Sequence, residues 1–245
     1  MILGNARVED LVAARPRVGG FGAGPLELPG ADVLQAVFEM PVAAREAVVP
    51  PGLHPTNPPL CVILAWRCPE SPWGAFSLAQ VRAQTRSGLR PRGFTVGAVC
   101  DNPAAADALA ADYGFPARPG EVLLRRAYDA AWLEVSIAGQ TILALEGMDP
   151  EPLLPIDVFY AVTLNLAETP RGPRLLQVEP EYAIARAERL RPRLLSFHPE
   201  GWGDRHLDPY FPVSASVTSA DIVIPRMRFV CRPDELAFSG TEKVE

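Results

Sequence analysis

The sequence predicts a mainly β protein of the α+β class, with antiparallel strands gathered around one firm helix. Three observations predict it. Proline occurs 27 times in 245 residues, about twice its ordinary usage, and it is excluded from helix interiors and central strands. The chain is therefore cut into many short elements. Between the prolines lie runs rich in β-branched and aromatic residues, several of them alternating. Only one segment carries a full set of helix start and stop signals.

The first 30 residues read as a flexible N-terminal arm. Its glycine-rich "RVGGFGAGPLELPG" (17–30) follows no strand, opens no helix and carries no Lys-Ser/Thr, so it is not a phosphate loop. Residues 31–238 are expected to form a single domain, and 239–245 a disordered tail. A short helix is expected in "MPVAAREAVVP", followed by strands in "LCVILAW", "FSLAQVRAQ" and "GFTVGAV". The firm helix lies in "CDNPAAADALAADYGFP": Asn102 is its N-cap, Pro103 its first residue, Gly114 its end and Pro116 its stop. Strands resume in "EVLLRRAY", "AWLEVSIAG", "QTILALE", "VFYAVTLNLA", "YAIARAERL" and "ADIVIPRMRFV", for about nine or ten in all. Over 132–138, Leu133, Val135 and Ile137 point one way, and Trp132, Glu134 and Ser136 the other.

Composition narrows the function. The net charge of −6 leaves no basic footprint for nucleic acid. No run reaches membrane-spanning length and no signal-peptide pattern opens the chain, so the expectation is a soluble, cytoplasmic protein. The cysteines, Cys61, Cys68, Cys100 and Cys231, form no C-x-x-C pair, and three of them sit in apolar runs as buried thiols do. Of 23 basic residues, one alone is lysine, Lys243. Arginine is not deprotonated near neutral pH and forms no imine, so lysine Schiff-base chemistry is excluded from the body of the chain.

Few constellations suggest chemistry. "SFHPEGWGDRHLDP" gathers His198, Glu200, Asp204, His206 and Asp208, but it is a proline- and glycine-rich loop whose spacing fits no compact ligand pair. No metal and no cofactor is expected. A G-x-S-x-G elbow is absent. In "FSLAQVRAQTR" (76–86) the even positions run Phe, Leu, Gln, Arg, Gln, Arg against small odd residues. That is the profile of a strand passing from a closed cavity to its mouth, and equally of an ordinary surface strand.

Four blocks in order cover roughly residues 35–236. They are "VVPPGLHPTNPPLCVILAWRCPESPWGAFSLAQ", "VGAVCDNPAAADALAADYGFP", "VFYAVTLNLAETPRGPRLLQ" and "PVSASVTSADIVIPRMRFV", the last with Ala-Asp-aliphatic-Pro at 220–225. Together they resemble the acetoacetate decarboxylase-like superfamily. The resemblance implies a double-layered antiparallel β-barrel or cone with an internal cavity, one or two helices, and a homo-oligomer. It also implies chemistry through a lysine imine assisted by two carboxylates. Here the imine lysine falls on Ala117 and the lysine that tunes it on Arg118. The carboxylates fall on Leu78 and near Leu64, and substrate-facing apolar positions fall near Ala98 and on Phe115. Nucleophile and acids have become alkyl groups while the scaffold turns remain.

The leading expectation is thus a lysine-independent enzyme of lyase or isomerase type, not a classical acetoacetate decarboxylase. Leu64, Leu78, Ala98, Phe115 and Ala117 would bind an apolar, polyketide-like molecule. Gln80, Tyr113 and Arg118, beside the lost catalytic positions, would polarise it toward ring formation, isomerisation or elimination. A non-catalytic small-molecule binding protein is one alternative. β-Keto acid decarboxylation or hydration by acid–base or metal chemistry in the 198–208 loop is the other.

Overall fold

The computed structural model describes residues 3–244. In chain order its elements are α1 (Val8–Val12), β1 (Leu26–Glu39), α2 (Val42–Val48), β2 (His54–Pro55), β3 (Leu60–Cys68), β4 (Phe76–Ser87), β5 (Arg90–Cys100), α3 (Pro103–Tyr113), β6 (Ala117–Pro119) and β7 (Glu121–Arg126). There follow β8 (Ala130–Ile137), β9 (Gln140–Leu153), β10 (Val162–Thr169), β11 (Gly172–Val178), β12 (Glu181–Phe197), β13 (Phe211–Ile224), β14 (Phe229–Cys231), α4 (Ala237–Gly240) and β15 (Thr241–Lys243). Single 3-10 turns occur at Pro155–Asp157 and Pro199–Trp202.

The strands form one sheet in the order β15-β14-β11-β10-β5-β4-β3-β1-β13-β12-β9-β8-β7, with β2 beside β4 and β6 beside β5. The path is open at β15 and β7, as in a cone, and does not close into a barrel. Almost every pairing is antiparallel, as the hairpin-length connections require. Two short exceptions run parallel, β10 against β5 and β6 against β5.

The sheet folds over itself because its central strands are apolar on both faces. In β3 all of Cys61–Trp66 is buried, and in β4 all of Phe76–Ala83. One face of these strands (Ile63, Ala79, Val81) packs with Leu133, Val135 and Leu143 of β8 and β9. The opposite face (Leu64, Trp66, Leu78) packs with Leu109 of α3 and Phe115. Each fully buried leucine or phenylalanine contributes about 1.5–3 kcal/mol, so both faces hold the strands in place.

The firm helix forms as its signals predict. Asn102 Oδ1 accepts from the Ala105 N–H at 3.2 Å, Pro103 opens the first turn, and Gly114 ends the helix at φ 68°. That left-handed geometry favours glycine, which adopts it without the strain of a Cβ. The shorter helix of "MPVAAREAVVP" is α2, and two further short helices, α1 and α4, carry no side-chain caps.

Two boundaries read from the sequence move. Within the expected arm 1–30, Leu26 and Leu28 belong to β1 and stand opposite Ile224 and Ile222 of β13. Upstream, Arg15 donates to the carbonyls of Thr95 and Val96, and Val18 is buried. Within the expected tail 239–245, Thr241–Lys243 pairs with β14; Glu245, like Met1 and Ile2, lies outside the described residues. Leu26 and Leu28 thus extend a central strand, held between β3 and β13, whereas Thr241–Lys243 adds an edge strand outside β14.

Candidate functional site

Five pairings bring one residue from each of six strands into a transverse row. Ser216 stands opposite Gln35, Gln35 opposite Leu64, Leu64 opposite Gln80, Gln80 opposite Ala98, and Ala98 opposite Ala117. Directly opposed residues point to the same face of a sheet, with Cβ atoms about 5 Å apart. The row therefore crosses the face that packs against α3. Gln35, Leu64, Gln80, Ala98 and Ala117 are positioned by backbone pairing rather than by their own contacts.

At one end of the row the face is filled. Leu64, Leu78, Ala98 and Phe115 are all fully buried in a common cluster with Leu109 and Tyr113, and half-buried Ala117 packs against it. The Trp66 and Phe115 rings meet edge to face at 6.1 Å. At the other end the face opens into a chamber of about 440 Å³, whose wall includes Gln35, Val37, Val62, Gln84 and Ser216. Leu153 and the segment 157–161 cover it, and Gln35 Nε2 donates to the Phe159 carbonyl at 3.1 Å. This cover carries no sequence motif, and sequence reasoning did not anticipate it.

Gln80 lies between the two ends, fully buried, and it does not act alone. Its Oε1 accepts from Arg82 Nε at 3.0 Å, and Arg82 Nη1 donates to the Ala161 carbonyl at 3.3 Å. Arg82 is only 2% exposed. No carboxylate lies within ion-pair distance of it among the described residues. Burial lowers its pKa to about 10, so it remains a cation at neutral pH. Sequence reading placed Arg82 toward a wet mouth; the even side of β4 becomes exposed only at Arg86, two positions beyond half-buried Gln84. The 157–161 segment, reached by Arg82 at the Ala161 carbonyl, lies over the strand that far.

Two tyrosines neighbour this pair. Tyr160, in the cover, shares a 2.8 Å hydrogen bond with Thr218 and lies 4.3 Å from Tyr182, ring centre to ring centre. Burial pushes the Tyr160 phenol up to about 12, and raises Tyr182 further against the opposing field of Arg82. Both are neutral phenols at working pH.

Tyr113 and Arg118 are not brought to Gln80. The Tyr113 hydroxyl donates to the Gly24 carbonyl at 2.9 Å, and burial pushes its pKa up to about 12. Arg118 is exposed, donates to the Gly201 carbonyl and borders a separate cavity of about 360 Å³ with Arg15, Trp202 and Asp204. Phe115 and Ala117 reach that cavity too. In the 198–208 loop, Asp204 accepts from the His206 N–H and pairs with its ring, each at 2.8 Å. Among the described residues no group of three His, Cys, Asp or Glu is placed to hold a metal ion. Lys243 lies in β15, four strands from β5 along the sheet path. No helix among the described residues is long and apolar enough to cross a membrane.

No protein-family model and no curated protein matches the sequence. Solved structures do. An acetoacetate decarboxylase from Legionella pneumophila subsp. pneumophila str. Philadelphia 1 superposes with a TM-score of 0.74 at 17% identity, covering 86% of this chain and 88% of that one. The enduracididine biosynthesis enzyme MppR, complexed with pyruvate, gives 0.69 at 16% identity over 84% and 90%. An acetoacetate decarboxylase-like enzyme from Sphingomonas wittichii RW1 gives 0.66 at 14% identity over 91% and 94%. With the open two-faced sheet and its helix-covered row, these likenesses establish that the chain has the acetoacetate decarboxylase-like fold.

Proposed function

We propose that the protein is a lysine-independent enzyme that holds an apolar, polyketide-like small molecule and promotes ring formation, isomerisation or elimination. One observation supports the reading: Leu64 and Ala117 stand in the transverse row and Leu78 lies two residues before Gln80 on the same strand face, and these are the three positions where the resemblance implies acids and amine. A chamber of about 440 Å³ on the same face falls in the range of small-molecule sites. Its wall combines Val37 and Val62 with Gln35 and Ser216, which suits a largely apolar ligand oriented by a few polar groups. Holding such a molecule near its reactive conformer is a large rate effect by itself. Buried donors next to the chamber wall, Gln80 Nε2 beside Arg82 and the Tyr160 hydroxyl within the covering segment, would polarise a carbonyl that reached them, without bonding to it covalently.

Self-association of the chain belongs to the same reading. Leu154, Ile156 and Phe159, in and next to the chamber cover, are 66%, 89% and 60% exposed, and apolar side chains grouped in one exposed segment suit contact with another copy. Sedimentation analysis tests that part.

The activity is tested with linear poly-β-carbonyl compounds, followed by mass spectrometry and NMR of the products. A new isomeric or dehydrated product supports the proposal when Ser216→Trp, which fills the chamber, abolishes it without lowering Tm. Tight binding with no turnover of any such compound would make the protein a carrier or sensor instead.

A further inference from the structure

Four neighbouring polar side chains on the inner face have hydrogen-bonding groups with no partner among the described residues. They are Arg82 Nη2, Gln80 Nε2 and the hydroxyls of Thr95 and Thr163. Register places them together. Gln80 and Arg82 are two apart on β4, Thr95 stands opposite Arg82 on β5, and Thr163 of β10 stands opposite Gly93, two before Thr95. Gly93 leaves room for the arginine: a Cβ there would lie 2.9 Å from Arg82 Cδ. A buried polar group ordinarily has a partner, and a buried charge more so. One orphan is common in a protein interior. Four adjacent ones, all able to donate and one cationic, form the kind of donor set that binds an anion.

From this cluster we infer that the small molecule proposed above is an acid, and that Arg82 receives its carboxylate at the inner end of the chamber. The inference rests on the chamber being the small-molecule site. Gln80 Oε1 ties down Nε, which turns the other edge of the guanidinium, Nη1 and Nη2, toward the ligand. Two parallel N–H donors on that edge match the two oxygens of a carboxylate. Nη2 is already unpartnered, and Nη1 is held only by the long 3.3 Å contact to Ala161. Ala161 and Val62, the residue opposite Arg82, both lie on the chamber wall. Moving the Ala161 carbonyl aside therefore joins chamber to guanidinium. The apolar body of the acid would lie along Val62 and Val37, outward from the charge.

Gln80 acts here as a positioning residue. A purely structural arginine would be expected to pair with a carboxylate or with a full set of carbonyls, as Arg15 does with two adjacent ones on β5. Arg82 does neither.

Isothermal titration of the full chain with octanoate and octanamide, and with 2-naphthoate and 2-naphthamide, reads the difference directly. Each pair shares its apolar body and differs in charge. The acids should bind at least about tenfold more tightly than the amides. The preference should persist in high salt, because a buried pair is weakly screened. Arg82→Met should abolish the preference while Tm holds or rises, since it removes a buried unpaired charge; Arg82→Lys should keep part of it. Equal affinity of acid and amide for the unaltered protein overturns the inference whatever the variants do, and so does an acid preference that survives in Arg82→Met. Binding of both without preference sinks the anchor alone. Binding of neither sinks the chamber as a small-molecule site as well.

Discussion

The Nε–H of Arg82 donates to Gln80 Oε1 across 3.0 Å, so a single strand supplies both a buried cation and the group that orients it. The two are not independent. Gln80→Leu removes an acceptor from a guanidinium that has one other, and should destabilise by about 1–3 kcal/mol in urea unfolding. In Gln80→Leu/Arg82→Met the demand for that acceptor is gone, and most of the loss should return. Additive losses in the double variant would show that the pair is not coupled.

Covalent trapping should fail. Lys243 is the one ε-amine of the chain, and it lies on the far edge strand β15. Borohydride treatment with acetoacetate, pyruvate or acetylacetone should leave no substrate-sized adduct except at Lys243 or the N-terminal amine. Peptide mass mapping checks this, and an adduct on any other residue would refute the non-covalent reading.

Restoring the amine alone should not restore decarboxylation. Ala117→Lys places a lysine opposite Ala98, but Leu64 and Leu78 still offer alkyl groups where carboxylates are needed. Acetoacetate turnover should remain at least about 10²-fold below that of a lysine-bearing enzyme of this fold. Turnover close to that level would show that the two leucines do not occupy the acid positions.

Acid stability should depend on the cluster that joins β1, β7 and β12. Burial raises the Glu188 carboxyl, but hydrogen bonds from Arg186 and Arg126 outweigh it and hold the carboxyl below its ordinary range. A depressed carboxyl contributes stability that is complete above its unfolded value of about 4.3 and lost as pH falls through the lower folded value. Arg126 also bonds Ser219 at 3.0 Å and faces Asp32 at 3.8 Å. In Arg126→Met the Tm should fall near neutral pH, and its gap to the unaltered protein should narrow as pH drops below about 4.3. A Tm equal to that of the unaltered protein throughout would mean that this cluster contributes nothing to folding.

What could be read from the sequence follows from where the signals are local. Asn102, Pro103 and Gly114 act within one helix, and each forms the contact or turn its residue type implies. The alternation in β8 likewise appears as buried Leu133 and Val135 between exposed Trp132 and Glu134. The pairing of Leu26 with Ile224 depends on a partner far along the chain, and that of Cys231 with Thr241 on a polar run without alternation, so neither carries a local signal. Arg82 was hidden for the same reason. An alternating Gln-x-Arg-x-Gln looks like a solvated face until β10 and the 157–161 segment are seen to cover it. Leu64, Leu78, Ala98 and Phe115 share one buried cluster with half-buried Ala117 packed against it, whereas Gln80, Tyr113 and Arg118 bond to Arg82, Gly24 and Gly201, partners no local pattern signals.

The transverse row has a consequence for how such a protein changes. Its members are spaced by main-chain pairing, and the sheet keeps that spacing whatever side chains stand there. Chemistry on this face is therefore modular: a nucleophile, an acid or a hydrocarbon can be exchanged at one rung without shifting the others. Arg82 sits one rung beyond the row on the same strand face. It is open to selection in the same way, so binding specificity can change here while the scaffold stays.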